Sequence, residues 1–408
     1  MAARLMSRPW PVPPGLSAEL LALGEWPAFR PHWDDLSSRA LEPNAFFTAD
    51  ALNARSRHLP GGADLRLLVA WRGDGETRRL VGLLPVLRPR GRVLNPFPIR
   101  RAPELYGPLS TPLVDPDRPD ETWAAMLAGL AQVGAAGILL PFLSEDGPVA
   151  AALVEAAGTG GLPVEKLGGH GRAFLDSRLG SEAYFRATLE TRRRKEAERQ
   201  RRRLGEQGKL TFCVANLPED VTAATEEFIA LEAAGWKGRA GTDLGSAAGA
   251  SAYFREIAAG MRDRSYRVAT LRLDGRAIAA GLVMIAGRRA FYVKTAYDEA
   301  LARFSPGLLL TLDLTAHLLD DPSLDEADSV AVADHPMIDR LWTGRFRVAS
   351  LLVATRPGGG PAFRSALAFE TLREGAIVRA KRYATKLSRS RPPGANETGR
   401  KAGLEPAA

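Results

Sequence analysis

The segment Arg303 to Leu310, with the sequence RFSPGLLL, holds the residues in this chain best suited to bind an anion. Ser305 is a candidate N-cap and Pro306 suits the first position of a helix, where each residue type is favoured. Gly307 allows close approach to the backbone, and Arg303 adds a positive charge. Because free N–H groups at a helix N-terminus bind phosphates, the segment predicts a pyrophosphate site, with an ordinary capped helix as the alternative.

A strand and a helix must position this segment. The strand RRAFYVKTAYD (288–298) ends just before it, and the helix SPGLLLTLDLTAHLLDD (305–321) begins within it. Asp274-Gly275 is the signal of a type I′ turn between two further strands. In chain order, the second half is predicted to contain a strand at 209–216, helices at 220–236 and 251–263, the hairpin YRVATLRL and RAIAAGLVMIA, the strand and helix above, a strand at 327–333, a short helix PMIDRLW and a strand at 346–355.

The first half of the chain shows a fainter version of the same alternation. Residues 122–144 carry no charge and are long enough to cross a bilayer, but glycines and Pro141 divide them. We therefore predict a helix and a buried strand there rather than a membrane span. The predicted elements are the strand pair DLRLLVAW and RRLVGLLPVLR, a helix at 120–133, a strand at 137–143, a helix at 147–157 and a strand near 172–177.

The positive charge of the chain is gathered in two segments. The 408 residues include 55 Lys and Arg and 47 Asp and Glu, a formal charge of +8. Residues 181–209 hold ten basic and five acidic side chains, and residues 373–401 hold nine basic and two acidic side chains. These segments carry net charges of +5 and +7, so the rest of the chain has a net charge of −4. The first segment is rich in helix formers and predicts a basic helix between two halves.

Composition argues against several classes of protein. A single cysteine, Cys213, excludes a disulfide framework and a cysteine-based zinc site, and we expect it to be a small core residue. The five histidines show no paired spacing, so no metal site is predicted. Prolines interrupt the N-terminus before an apolar run develops, which argues against a secretory signal and favours a cytoplasmic protein, at most peripheral to the inner membrane.

Three segments, taken with the strand order, carry a resemblance to a known family. GWKGRAGT (235–242), YVKTAYDE (292–299) and RFSPGLLL (303–310) resemble the GNAT-like acyltransferases of the bacterial cellulose-biosynthesis-protein type, which are related to the Fem aminoacyl ligases. The resemblance covers roughly residues 180–355. In GNAT enzymes an R/Q-x-x-G-x-G/A loop holds the coenzyme A pyrophosphate. Here Pro306 replaces its first glycine and Leu308 its last small residue.

The resemblance implies an α/β (α+β) fold made of tandem GNAT-like domains, each a mixed, mostly antiparallel sheet flanked by helices. The first of these is expected to be degenerate and to shape the substrate cleft. The predicted parts are an N-terminal extension (1–19), a degenerate GNAT-like domain (20–180), a basic linker helix (181–209), a GNAT-like acyltransferase domain (210–356), a C-terminal helix (357–387) and a disordered basic tail (388–408).

The resemblance also implies roles for individual residues. A carboxylate near the cleft is the natural general base for an amine, and Asp298 and Glu299 are the first candidates, with Asp334 and His335 second. Tyr292 and Lys294, two residues apart on one strand face, are predicted to orient the substrate. The predicted acyl-CoA contacts are Arg303, Ser305, Pro306, Gly307, Leu308 and Leu309, and the predicted substrate contacts are Trp236, Lys237, Tyr292, Lys294 and Asp334.

The function that follows is N-acyl transfer. Acetyl-CoA or another acyl-CoA is the predicted co-substrate, no metal is required, and the amine acceptor is predicted to be an amino sugar or other glycan precursor in exopolysaccharide or cell-envelope synthesis. An anionic membrane surface or a nucleotide is a candidate partner of the two basic segments. Nucleic acid is not expected, because no aromatic residues alternate with the arginines of 192–203.

Two other functions remain open at this point. A Fem-like aminoacyl transferase would use charged tRNA and be indifferent to coenzyme A. A non-catalytic effector would instead bind a nucleotide messenger or an anionic surface through the basic segments. The effector predicts normal function after Asp298→Asn and Glu299→Gln, but loss of function after neutralisation of the charges from Arg192 to Arg203.

Overall fold

The computed structural model describes residues 12–87, 96–235, 244, 249–260 and 265–389. Its strands are β1 (Leu16–Ala22), β2 (Arg66–Arg72), β3 (Arg79–Val86), β4 (Ile99–Arg101), β5 (Leu113–Val114), β6 (Gly137–Ser144), β7 (Val164–Leu175), β8 (Leu210–Ala215), β9 (Tyr266–Leu273), β10 (Arg276–Ala286), β11 (Arg289–Tyr297), β12 (Glu326–Asp328) and β13 (Gly344–Ala354). Its α-helices are α1 (Arg30–Arg39), α2 (Ala49–His58), α3 (Pro119–Gln132), α4 (Pro148–Gly160), α5 (Ser181–Thr188), α6 (Thr191–Gly205), α7 (Pro218–Ala234), α8 (Ala250–Gly260), α9 (Pro306–Asp320) and α10 (Gly360–Arg389). The predicted α/β class with mostly antiparallel sheets is confirmed.

Contacts divide the chain into two compact units, and the second contains residues 23–65 and 170–348. In this unit β8, β9, β10 and β11 pair antiparallel in that order, and β12 joins β11 in parallel. The β9–β10 hairpin turns at Asp274 and Gly275, which have φ of 49° and 81°, as a type I′ turn requires. The apolar side of α9, including Leu310 and Leu314, packs with Trp342 in one buried core.

The first unit contains residues up to 22, 66–169 and those from 349 onward. β1, β2, β3 and β5 form an antiparallel sheet, and β4 pairs with β6 in parallel. α3 lies close on this sheet, because a Cβ added to Gly82 would come within 2.7 Å of Thr122 Cγ2. A separate small core joins Ile99 and Leu139 to Phe363 of α10.

The units do not follow the boundaries proposed from sequence, because residues 23–65 belong to the second unit. Within that unit α2 packs against α8. His58 Nε2 lies 2.6 Å from Glu256 Oε2, and Asn53 Nδ2 donates to Glu256 Oε1 at 3.0 Å. These contacts join segments about 200 residues apart, so no local pattern could reveal them.

Three predictions of local structure were wrong. The basic segment 181–209 forms two helices, because the chain is not helical at Leu189 and Glu190. The strand predicted at 327–333 is paired only over Glu326–Asp328. Cys213 is exposed, because β8 turns alternate residues outward.

The uncharged stretch at 122–144 forms α3 and β6, as predicted. No helix in the described part of the chain combines the length and apolar character needed to cross a bilayer. The C-terminal helix predicted at 357–387 corresponds to α10, which begins at Gly360, and residues 390–408 of the predicted tail are outside the described residues.

Candidate functional site

β11 has a strand neighbour on both sides along only part of its length. It pairs with β10 from Arg289 to Tyr297, whereas its parallel pairing with β12 spans only Arg289–Phe291. Among the described residues, positions 292–297 therefore have a strand partner on one side. An unpaired strand edge presents N–H and C=O groups that a ligand can bind. We call this opening, bordered by residues 292–297, the strand gap.

The strand gap exists because the chain turns away at the end of β12. Asp328 is fully buried, and its Oδ2 accepts a hydrogen bond from Arg172 Nη2 at 2.5 Å. Its Oδ1 accepts the Val330 N–H at 2.9 Å, which closes a tight turn. Val330 has φ of 54°, a left-handed conformation through which a strand cannot continue. The ion pair and turn thus end the strand that the sequence had predicted to run to residue 333.

The N-terminus of α9 lies beside the end of β11, where the ring of Tyr297 is close to Gly307. Ser305 has φ of 52° and its side chain makes no capping hydrogen bond. Pro306 has no N–H, and the first backbone bond of the helix runs from Leu309 N–H to Ser305 O at 3.1 Å. The N–H groups of Gly307 and Leu308 therefore have no acceptor within the helix. Binding of an anion by these two groups stays a prediction from the sequence.

Gly307 allows α9 to lie against β11. A Cβ added at this position would be 3.2 Å from Cδ1 of Tyr297, closer than side chains ordinarily pack. The glycine therefore serves helix-to-strand packing, and it brings the first turn of α9 beside the last residue of β11. This requirement favours glycine here independently of any ligand.

A series of hydrogen-bonded hydroxyl groups connects α9 to β11 at the strand gap. Thr311 Oγ1 donates its single proton to Gly307 O at 2.8 Å, so the Tyr292 hydroxyl must donate to Thr311 Oγ1 at 3.3 Å. The Tyr292 oxygen in turn accepts from Thr295 Oγ1 at 2.6 Å. Burial raises the pKa of Tyr292, which keeps it protonated as this chain requires.

Tyr292 and Lys294 do not share a strand face, contrary to the prediction. Leu282 pairs with Lys294 and Val283 with Tyr292, so Val293 is an extra residue in a β-bulge. The bulge explains why Tyr292 shares a face with Thr295, three residues on, and reaches α9. Lys294 reaches α7 instead.

Lys294 forms a buried ion pair with Glu232, a residue that sequence reasoning missed. Lys294 Nζ donates to Glu232 Oε1 at 2.8 Å, and the two side chains are 12% and 2% exposed. Glu232 Oε2 accepts the Leu244 N–H at 3.0 Å. The pair thus joins β11, α7 and the segment that follows α7. Lys294 stays a predicted substrate contact, but its position shows that it also holds α7 to the strand.

A cavity of about 540 Å³ lies between α7 and the end of β11. One face of α7 lines it, with Glu227, Ala230, Leu231 and Ala234 at helical spacing. Tyr297, whose ring contacts the Gly307 position, forms part of its opposite wall. The cavity and the α9 N-terminus are therefore adjacent, with Tyr297 between them.

The two predicted general bases, Asp298 and Glu299, have different surroundings. Both line the cavity, which places a carboxylate near any bound molecule. Asp298 Oδ1 accepts the Ala300 N–H at 3.0 Å and its Oδ2 accepts from Arg276 Nη1 at 2.8 Å. Asp298 thus caps the 3-10 helix Glu299–Phe304, the structural role that its position before a turn suggests. Glu299 lies beside Gly235, at the end of α7.

The structure places the remaining predicted site residues as follows. Arg303 is exposed, with its guanidinium 4.7 Å from the ring centre of Phe304, within the same 3-10 helix that leads into α9. Asp334 is exposed on a turn with φ of 57°. His335 Nδ1 accepts the Met337 and Ile338 N–H groups, which holds the turn that follows it, and burial lowers the pKa of His335. Trp236 and Lys237 lie outside the described residues.

The basic helix α6 borders this site. It packs against the 3-10 helix Glu299–Phe304 and against α9. Arg201 Nη2 donates to Asp313 Oδ1 at 2.5 Å, and this pairing opposes the burial that raises the pKa of Asp313. Arg192, Lys195, Arg202 and Arg203 are exposed on α6. A positively charged surface therefore lies next to the helix N-terminus.

Comparisons with known proteins agree with this geometry. A family model described as an acetyltransferase (GNAT) domain matches residues 191–335. The fold is similar to that of FemX, with 10% identity, a TM-score of 0.54, and coverage of 79% of this chain and 95% of that one. It is also similar to the C-terminal domain of a protein described as a lysylphosphatidylglycerol synthetase from Agrobacterium fabrum, with 16% identity, a TM-score of 0.51, and coverage of 86% and 96%. No curated protein matches the chain.

The strand gap, the helix N-terminus beside it and the family match together define an acyltransferase of the GNAT class. Residues 191–335 match the acetyltransferase (GNAT) domain model, and the fold is similar to that of FemX. At these low identities the structural similarity shows a shared fold and does not identify the acceptor.

Proposed function

We propose that the protein transfers an acyl group from acyl-CoA to the amine of a small acceptor, with an amino sugar of exopolysaccharide or cell-envelope synthesis as the candidate acceptor. The observation that carries this proposal is the first turn of α9, which lies beside the end of β11 and whose Gly307 and Leu308 N–H groups have no acceptor within the helix. An anionic donor bound there would have a cavity for an acceptor on the far side of Tyr297.

The residues at α9 suit the diphosphate of such a donor. Two N–H groups without helical acceptors, the positive end of the helix dipole and the exposed Arg303 supply donors and charge at one place. Within the described part of the chain, residues 292–297 of β11 pair with a strand on one side, and we propose that their other edge binds the amide-containing arm of the donor. Pro306 removes one N–H that the usual GNAT loop provides, so fewer amides take part here.

The cavity beside α7 suits a compact polar acceptor. Its volume of about 540 Å³ lies in the range of small-molecule sites, and its lining combines alanines and Leu231 with three carboxylates and Arg276. We propose Glu299 as the general base, because its carboxylate lines the cavity beside Gly235 at the end of α7, whereas Asp298 caps the 3-10 helix. Glu299 would take the amine proton as the nitrogen attacks the thioester carbonyl, the C–N bond forms, and the C–S bond breaks to release thiolate.

Calorimetric titration with acetyl-CoA and longer acyl-CoAs tests donor binding. We expect wild type to bind and Gly307→Glu to lose binding, because a carboxylate at α9 would repel phosphate. Gly158→Glu, in an open position on α4, is the matched control and should bind normally. Arg303→Glu adds a variant that leaves the Tyr297 packing intact and should weaken binding. Failure of wild type to bind any acyl-CoA, or full binding by both variants, would overturn the donor assignment.

The choice of base has its own test. Glu299→Gln should lower kcat by roughly 10²- to 10⁴-fold with donor affinity unchanged. Asp298→Asn should lower thermal stability more than Glu299→Gln does, because it weakens the contact with Arg276. An equal or larger kcat loss for Asp298→Asn in a stably folded protein would reverse the assignment.

Fem-like aminoacyl transfer is the second candidate, and the exposed cations of α6 beside the site favour it. Charged tRNA would then bind with an affinity that falls steeply with salt. Replacing Arg192, Lys195, Arg202 and Arg203 by Gln should abolish that binding. Acyl-CoA binding without any binding of charged tRNA would exclude this candidate.

A further inference from the structure

The strand gap is closed at one end. β11 pairs with β12 up to Phe291 and Asp328, so Tyr292 is the first residue of β11 beyond that pairing. Phe291 and Asp328 are fully buried and Tyr292 is 5% exposed. Val293 and Thr295, farther from the pairing, are partly exposed. A ligand that lies along the gap therefore meets packed protein at Tyr292.

The ring of Tyr292 fills the closed end on the side of α9. Its centre is 6.3 Å from that of Trp342, which is fully buried. Gly281 of β10 makes room for the ring, because a Cβ added there would come within 2.8 Å of Tyr292 Cε2. The hydroxyl bonds to Thr295 and Thr311. The ring thus cannot turn aside without breaking these contacts.

The other face of the sheet is packed at the same point. Side chains alternate along a strand, so Phe291 lies on the face opposite Tyr292. The centre of the Phe291 ring is 5.4 Å from that of Phe46, and the two residues are 0% and 4% exposed. Large buried aromatic side chains therefore lie on both faces of the sheet where the gap ends.

The arm of the proposed donor has the length that brings its thioester to this end. The diphosphate is proposed to bind at Gly307, beside Tyr297. Between the diphosphate and the sulfur, coenzyme A has about twelve chain bonds, as many as in about four residues of extended peptide, which span about 14 Å. From Tyr297 back to Tyr292 the strand covers about 16 Å. An acyl group on the sulfur would therefore lie at the closed end, beside Tyr292.

We propose, on the basis of the acyl-CoA function proposed above, that the strand gap accepts only a short acyl group, such as acetyl or propionyl, and that the ring of Tyr292 sets this limit. An acetyl group adds a single methyl group beyond the thioester carbonyl and fits before the ring. A longer hydrocarbon tail would have to displace Tyr292 or Phe291 from a packed core, which is unfavourable.

Calorimetric titration with coenzyme A, acetyl-CoA and octanoyl-CoA tests this limit. We expect wild type to bind octanoyl-CoA at least roughly tenfold more weakly than acetyl-CoA, because the tail cannot enter the closed end. Tyr292→Leu removes the ring and should bring the two affinities to within roughly threefold of each other. Tyr292→Phe is the matched control, because it also loses the hydroxyl but keeps the ring. It should bind every donor more weakly and keep the wild-type ratio.

The possible results separate the chain-length limit from the donor assignment. Binding of coenzyme A and acetyl-CoA by wild type, with octanoyl-CoA bound equally well, would overturn the limit and leave the donor assignment intact. Binding of none of the three would overturn both. The same ratio in folded Tyr292→Leu and Tyr292→Phe would contradict the role of the ring. The wild-type comparison needs no variant, so it decides the limit even if Tyr292→Leu does not fold.

Discussion

Each unit contains a parallel strand pair three residues long, and the two pairs end differently. In the first unit β4 itself ends after pairing Ile99–Arg101 with Gly137–Leu139. The space beside Gly137 is filled there, since an added Cβ would meet Val353 O at 2.8 Å and the Phe363 ring at 3.1 Å. In the second unit β11 continues for six residues beyond its last partner in β12.

The difference shows how closely related strand arrangements give a packed region in one unit and a binding region in the other. The first unit uses the end of its strand pair for core packing. In the second unit, residues 292–297 of β11 have a strand partner on one side only among the described residues, and a helix N-terminus and polar side chains lie beside them. The polar groups of the second unit therefore maintain an opening, and their removal should affect both stability and binding.

The largest effect is expected from Asp328→Ala. The change removes the buried carboxylate that accepts from Arg172 in the core and the acceptor that turns the chain at Val330. Removing one partner of a buried ion pair costs about 3–5 kcal/mol, so the free energy of unfolding should fall by this amount in urea titration. Asp325→Ala removes the carboxylate of an exposed pair with Arg288 in the same unit and should cost far less. Equal losses would contradict a special role for the turn.

Tyr292→Phe should have an intermediate effect. The change deletes the hydroxyl between Thr295 and Thr311 and loosens the attachment of α9 to β11. We expect a loss of about 1 kcal/mol in the free energy of unfolding and weaker acyl-CoA binding. A double-mutant cycle with Thr295→Val should show coupling, because both changes act on one hydrogen bond. Additive effects on stability would exclude the proposed hydroxyl chain.

The smallest expected effect is on the pH dependence of stability. Burial lowers the pKa values of His317 and His335, both in the second unit, so each favours its neutral form in the fold. As the pH falls, these histidines become protonated in the unfolded chain before they do so in the folded one. Their effect on the free energy of unfolding is therefore absent above the unfolded pKa of about 6.5, and the fold loses stability below it. His335→Asn should therefore lose less stability than wild type between pH 7.5 and 5.5. The same loss in both proteins would exclude His335 as a contributor.

Much of the second unit could be predicted from sequence because its signals are local. The hairpin at Asp274-Gly275, the strand before the loop and the helix beginning at Pro306 each depend on neighbouring residues. The features that shape the site depend on distant contacts instead. Arg172 and Asp328 are 156 residues apart in sequence, and their ion pair explains why the strand predicted at 327–333 ends early.

The candidate site was less predictable than the fold for a related reason. The bulge at Val293 turns Lys294 toward Glu232, and neither the bulge nor the partner follows from alternation along the strand. The segment YVKTAY did hold a signal, since two tyrosines near a Ser-Pro-Gly helix start suggest packing against that helix. The roles of Trp236 and Lys237 remain predictions from sequence.

The central claim, that the first turn of α9 binds the acyl donor, can be tested most directly by amide hydrogen exchange with and without acetyl-CoA. We expect slower exchange in the presence of acetyl-CoA for a peptide covering residues 303–310, which contains the Gly307 and Leu308 amides. A peptide at the start of α4, residues 147–153 of the first unit, should not change. Binding of acetyl-CoA that leaves residues 303–310 unchanged, or that protects the start of α4 instead, would contradict the account.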